Sequence, residues 1–360
     1  MNFYQALQMD PSVLKRKIAQ CNTTKEKRFY WVAMALRSVL IVAFAVLFIS
    51  TLSHFFGQEN TPLAVALFCF LLGIRFVNFE YCMKDSLITL AITLFILVLV
   101  PSIVTMIPAF AALLLHFVSF FLIIFITSQR PELGNGRLYS FAYVYLSGNP
   151  VYGAVLEKRA MLALVGYMIC AIVLYRKHRQ MHTKVRFHHV ILHFNLHNIV
   201  HLWQLRMAIG VSLVLTAGQF FGVERFMWMG FACASLLSEY PYSENVSGRF
   251  SQRIIGVFAG SGIFFVIFSI IPESFHSILG VLGGLCLGFC TDYRYKAACN
   301  CIGALMLATS IYGVQGAVVL RIVDTILGVI FGVIVAFLFH KWIGVKFDTT
   351  KQTSQANEEA

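Results

Sequence analysis

Charge is what this sequence has least of. Asp, Glu, Lys and Arg make up 12% of its 360 residues, against roughly a quarter in soluble chains. Hydrophobic residues make up 59%, and the mean hydropathy of +0.77 excludes a water-soluble domain. Acidic groups are scarcest, 16 against 28 Lys and Arg, and no set of membrane carboxylates is available to line a cation path. A Walker loop, a dinucleotide-binding glycine fingerprint and a nucleophile elbow are all missing, and Ser235, Ser238 and Ser243 around Glu239 form no triad. The chain therefore reads as a non-enzyme without a cofactor, and any transport must be passive or driven by an ion gradient or the membrane potential. The nine cysteines lack zinc or redox spacing and read as small buried hydrophobes, with Cys286 and Cys290 on one helix face and Cys299 and Cys301 in the next span. The basic N-terminal stretch lacks the apolar core and cleavage site of a signal peptide.

What the chain has is long apolar runs, several near the ~20 residues that cross ~30 Å of hydrocarbon. Spans are expected over 30–55, 61–79, 85–105, 107–128, 137–148 and 151–175, and again over 201–223, 226–241, 253–272, 275–290, 295–312 and 316–341. The 137–148 segment is short for a crossing and is read as a broken or protein-covered element. With the N-terminus inside, nearly every basic residue outside a span falls on the inner side, and the outer loops hold only Arg225. That asymmetry puts both termini in the cytoplasm. The formal charge of +12 is read as topology and attraction to anionic lipid headgroups, not as a nucleic-acid surface.

The chain also repeats itself. Leu36-Arg37 opens an apolar run that ends Phe55-Phe56-Gly57, and Leu205-Arg206 opens one that ends Phe220-Phe221-Gly222. Arg159 stands seven residues before Gly166, and Arg321 stands seven before Gly328. The expected fold is thus an all-α, polytopic bundle of about twelve membrane helices, arranged as two parallel six-helix repeats. A basic segment (1–29) precedes the first repeat (30–175). A His-rich cytoplasmic linker (176–200) leads to the second (201–341), and a disordered tail (342–360) follows. Within the linker, Val190, Ile191, Phe194 and Leu196 have the spacing of an interfacial helix feeding the seventh span.

Three sets of residues could carry function. Arg37, Arg206, Arg159 and Arg321, with Asp324 one turn beyond Arg321, lie in apolar runs, where a charge costs ~2.5 kcal/mol or more and normally faces a bundle interior or wet cavity. If they line a path they attract anions, because guanidinium pairs bidentately with carboxylate and stays charged. Gly256 with Gly260, the Gly280, Gly284 and Gly288 series, and Gly328 with Gly332 have the four-residue spacing of close helix packing. His189, His193, His197 and His201 also recur every four residues, weak candidates for a metal; with no acidic or thiol helper nearby they read better as the polar face of a helix.

Residues 245–265 (NVSGRFSQRIIGVFAGSGIFF) and 316–340 (GAVVLRIVDTILGVIFGVIVAFLFH) carry a family resemblance. An Arg-x-x-x-Arg-Ile-x-Gly turn opening a membrane helix, followed by a late Arg-x-x-Asp-Thr-x-x-Gly helix, resembles the fusaric-acid-resistance-like (FUSC) proteins, or aromatic acid exporters. The matching positions are Arg253 with Gly256 and Gly260, and Arg321 with Asp324, Thr325 and Gly328; Val257 stands where the family usually has Thr. The resemblance implies a multi-pass protein of the bacterial cytoplasmic membrane that exports small organic carboxylates, aromatic ones included. Its partners would be membrane lipids and the anion, with a homodimer left open and no nucleic acid. An anion channel and a non-transporting scaffold for envelope assembly are the alternatives.

Overall fold

The computed structural model describes residues 2–181, 185–192, 194–196, 198–239 and 246–343; the expected tail beyond residue 343, with His193 and His197, lies outside them. Among the described residues the regular structure is helical: α1 (Phe3–Leu7), α2 (Pro11–Gln20), α3 (Thr24–Phe56), α4 (Thr61–Ile74), α5 (Met83–Ile103), α6 (Ala109–Thr127), α7 (Asn135–Ser147), α8 (Gly153–His178), α9 (Phe187–Leu192), α10 (Ile199–Phe220), α11 (Met227–Leu237), α12 (Val246–Ile270), α13 (His276–Leu287) and α14 (Tyr293–Ile343). Seven of these are long and apolar enough to cross a membrane, so this is a multi-pass membrane protein. Lipid-facing stripes are plain on α8, where Met161, Leu164, Met168 and Ile172 are each more than half exposed, a pattern that water would penalise and hydrocarbon would not.

Every expected span falls on a helix, but several are shorter than hydropathy alone predicts. α4 stops at Ile74 rather than 79, α11 at Leu237 rather than 241, and α13 runs only from His276 to Leu287. At 14, 13, 11 and 12 residues, α4, α7, α11 and α13 extend only ~17–21 Å. Apolar turn residues such as Phe76 and Val77 carry the hydropathy past the true helix ends. The expected break between 295–312 and 316–341 is present inside α14, where Gly313 adopts φ 68 and ψ 173, a conformation open to glycine and strained for other residues. The linker departs from expectation. α9 ends at Leu192 and α10 starts afresh at Ile199, with Asn198 capping it by accepting from the Val200 N–H at 2.9 Å, so no continuous helix feeds the seventh span.

The chain folds as two compact units, each drawing on both halves of the sequence. Unit 1 comprises residues up to Ser50 and Ser247–Thr325; unit 2 comprises Thr51–Val246 and the chain from Ile326. In unit 1, α1 and α2 pack through Ala6 and Leu14 onto Ala33 and Met34 of α3, so the basic N-terminal segment is built against the bundle. α12 lies on α14 at backbone contact: a Cβ on Gly256 would stand 2.5 Å from the Arg294 carbonyl, and one on Gly260 2.5 Å from that of Ala298. Gly284 faces Val42, Gly288 meets Ser38, and Gly280 has open space around it. In unit 2, α10 packs on α6 and α11, α8 on α4 and α5, and α7 sits among α4, α5, α6 and α11. Gly328 and Gly332 bring the end of α14 onto Met229, Cys233 and Leu236 of α11.

The glycines therefore separate experimentally. Gly260→Val should lower thermal stability by about 1–3 kcal/mol through overpacking against a backbone, whereas Gly280→Ala should leave it unchanged or slightly raised; an equal loss at both positions would rule out the close approach of α12 and α14.

A second test concerns the cap of α2, where Asp10 accepts from the Ser12 N–H at 2.8 Å. Burial opposes its ionisation, yet the Ser12 hydrogen bonds and the nearby Lys296 and Arg37 outweigh that and hold the carboxyl below its ordinary value of 3.8. A depressed carboxylate stabilises above its unfolded pKa and loses that contribution as pH falls through the folded one. Amide protection of α2 should hold from neutral pH to the carboxylate range and then drop, while Asp10→Asn, an equally good cap without a charge, should flatten the profile.

Candidate functional site

The four arginines in apolar runs occupy three kinds of setting. Arg159, with no exposed surface, donates from Nε to Asn60 Oδ1 at 2.9 Å, from Nη1 to the Asn149 carbonyl at 2.8 Å and from Nη2 to the Glu59 carbonyl at 3.0 Å. Arg206, also buried, donates from Nη2 to the carbonyls of Leu237 and Glu239 at 3.1 and 2.9 Å. Both guanidiniums are held on helix ends and adjoining turns of unit 2. Arg37 is half-buried on α3 and lies within electrostatic reach of Asp10. Arg321 is different: 5% exposed, with Asp324 at 1% and Thr325 at 2%, it stands within electrostatic reach of Arg253, Cys301 and Asp324.

Arg159 and Arg206 belong to a wider pattern. α4, α7 and α11 end inside the bundle, so their last carbonyls have no helical partner and little water to meet. Buried side chains supply the donors. His178 Nε2 donates to the Ile74 carbonyl at 2.8 Å, Asn135 Nδ2 to those of Asn78 and Thr127 at 3.0 and 2.9 Å, Gln204 Nε2 to Ser128 at 3.0 Å, and Asn60 Nδ2 to Phe56 and Val155 at 3.0 and 3.2 Å.

In unit 1 Arg253 of α12 and Arg321 of α14 come within electrostatic reach of one another. Arg253 of α12 donates from Nη1 to Tyr293 Oη at 2.8 Å, and the Arg249 guanidinium lies 3.8 Å above the same ring, within cation–π range. Tyr293 opens α14, and farther along that helix Cys301, fully buried, reaches Arg321. Arg249, Arg253 and Arg321 thus form a stepped cationic series along α12 and α14, with Asp324 as the carboxylate beside Arg321. The motif glycines have a plain part in this: close approach at Gly256 and Gly260 brings Arg253 to α14.

The histidine series dissolves. His193 and His197 lie outside the described residues, as does the His189 side chain; His201 stacks on Phe194 with ring centres 5.1 Å apart and takes a hydrogen bond from the Asn195 N–H at 3.0 Å. Among the described residues no group of three His, Cys, Asp or Glu could hold a metal. Two features escaped the sequence reading. His116 of α6, with no exposed surface, pairs through Nδ1 with Tyr143 Oη of α7 at 2.9 Å; a histidine within an apolar run was the available signal. Cys290 and Cys299 bring their sulfurs to 3.7 Å, a pairing that no local spacing announces.

Arg159→Gln should destabilise the protein by at least about 2 kcal/mol, since it strips donors from buried carbonyls. Thermal unfolding in detergent checks it; an unchanged midpoint would mean that the three hydrogen bonds contribute nothing net.

No curated protein and no solved structure matches this chain. From late α10 through most of α14, however, residues 212–335 match the family model described as Fusaric acid resistance protein-like, so this part of the chain is similar to that family.

Proposed function

We propose that the protein is a membrane transporter that exports small organic carboxylate anions, aromatic ones included, without ATP, and that Arg321 and Arg253 of unit 1 attract the anion. The observation that carries this reading is the approach of two arginines to one another, one of them buried. Two guanidiniums, Arg253 and Arg321, lie near enough to repel one another, with Asp324 within electrostatic reach of Arg321, and such a gathering of positive charge favours an anion. Arg249, over the Tyr293 ring, extends the positive series along the start of α12. Arg159 and Arg206 are committed to backbone carbonyls, so the path, which the sequence alone would line with all four arginines, is assigned to the unit 1 set. The family match over α12 and α14 supports an efflux role, and the substrate class follows from guanidinium–carboxylate complementarity.

The test is anion efflux from reconstituted vesicles, with benzoate and 4-hydroxybenzoate as probes. Arg321→Gln should reduce flux at least ~10-fold, the scale of a lost charge-assisted hydrogen bond in a buried site, at equal protein incorporation. Flux equal to the parent overturns the arginine mechanism. Saturating flux marks a carrier, discrete current steps with unsaturated conductance mark an anion channel, and no flux together with co-purification of an envelope enzyme marks a scaffold.

A further inference from the structure

Four cysteines crowd the connection between α13 and α14 of unit 1: Cys286, Cys290, Cys299 and Cys301. Composition and spacing read all of them as inert buried hydrophobes, and Cys301 fits, fully buried with its Sγ on the Ala297 carbonyl at 3.3 Å. Cys290 and Cys299 do not. Both are only half-buried, Cys290 lies outside any helix, and their sulfurs stand 3.7 Å apart. Close packing of the two helices holds that approach. A Cβ on Gly283 of α13 would stand 3.0 Å from Ile302 Cβ and 3.4 Å from the Cys299 carbonyl of α14.

A disulfide bond is ~2.05 Å long, so the two sulfurs need to close by only ~1.7 Å. A residue outside a helix can supply much of that by turning about χ1. Cys290 is otherwise held lightly, donating from Sγ to the Cys286 carbonyl at 3.3 Å. The ring that such a bond would close runs from Cys290 to Cys299 and encloses Tyr293. Tyr293 Oη accepts from Arg253, and its ring lies under Arg249.

We infer that Cys290 and Cys299 are a redox-sensitive thiol pair, closed to an intramolecular disulfide by hydrogen peroxide, and that closure fixes the turn on which Arg249 and Arg253 rest. Cys290 attacks a peroxide oxygen as the thiolate. The O–O bond breaks, hydroxide leaves and takes up the proton the thiol released, and Cys290 becomes a sulfenic acid. The Cys299 sulfur then attacks the Cys290 sulfur; the S–S bond forms, the S–O bond breaks, and a second water leaves with the Cys299 proton. The thiols lose two electrons and the peroxide gains them. The charge asymmetry of the sequence expects this turn on the cytoplasmic side, where disulfides are transient and respond to oxidant. Formation of the bond does not depend on the anion path, whereas its bearing on transport rests on the function proposed above.

The purified full chain, reduced and in detergent, is exposed to hydrogen peroxide, its remaining thiols are alkylated, and its tryptic peptides are read by mass spectrometry. Cleavage after Arg294 and Lys296 separates the two cysteines, so their linkage is visible. A Cys290–Cys299 linkage should form in most molecules, and dithiothreitol should remove it. Cys299→Ser should stop at the Cys290 sulfenic acid, trapped with dimedone, and Cys286→Ala should still form the bond. Gel filtration confirms that each variant is folded. Amide exchange over residues 291–298 should slow several-fold on oxidation, because the closed ring holds the turn. Absence of the linkage in the wild type, linkage only between separate chains, or loss of the bond in Cys286→Ala would each overturn the pair. A bond that leaves exchange over 291–298 unchanged would overturn its hold on the Tyr293 turn.

Discussion

A helix that ends inside hydrocarbon leaves carbonyls that nothing in the solvent can satisfy, and the architecture of unit 2 follows from meeting that demand. α4, α7 and α11 are too short to carry both ends to water. Their ends, and those of neighbouring helices, are closed by Asn60, Asn135, Arg159, His178, Gln204 and Arg206, each donating to carbonyls at or beyond a helix terminus. These polar residues in an apolar bundle substitute for water. They also tie together segments distant in sequence: Arg159 joins the turn before α4 to the turn after α7.

This divides the buried arginines by purpose. A guanidinium has five donors and a fixed planar fork, suited to gathering several carbonyls at once, and Arg159 and Arg206 are used that way. Arg321 sits beside another cation, with Asp324 near it. Unit 1 concentrates that electrostatic cost on α12 and α14, within the stretch that matches the family model.

Much of this was legible in the sequence and some could not be. Each apolar run falls on a helix, and the break at Gly313 falls between 295–312 and 316–341 as the apolar runs indicate. In both echoed Phe-Phe-Gly motifs the glycine carries a positive φ, 96° at Gly57 after α3 and 61° at Gly222 after α10. Helix lengths were overestimated because apolar turn residues look like span to a hydropathy window. Equal spacing also made Arg159 and Arg321 look alike, whereas their environments come from residues far away in the chain: Asn60 for one, Arg253 for the other. His116 with Tyr143 shows the same limit. A hydrogen bond between two helices is written in neither helix alone.

The discontinuity of unit 1 sets an order of biosynthesis. α3 emerges early, but the helices that complete its unit, α12, α13 and the first part of α14, come only after nearly all of unit 2 has been made. A chain made from its N-terminus must hold α3 in the bilayer, its later unit 1 partners α12 to α14 unmade, while unit 2 assembles around the carbonyl-closing residues. The surfaces of Ser38 and Val42 that later meet Gly288 and Gly284 would face lipid, or an insertion chaperone, for that interval.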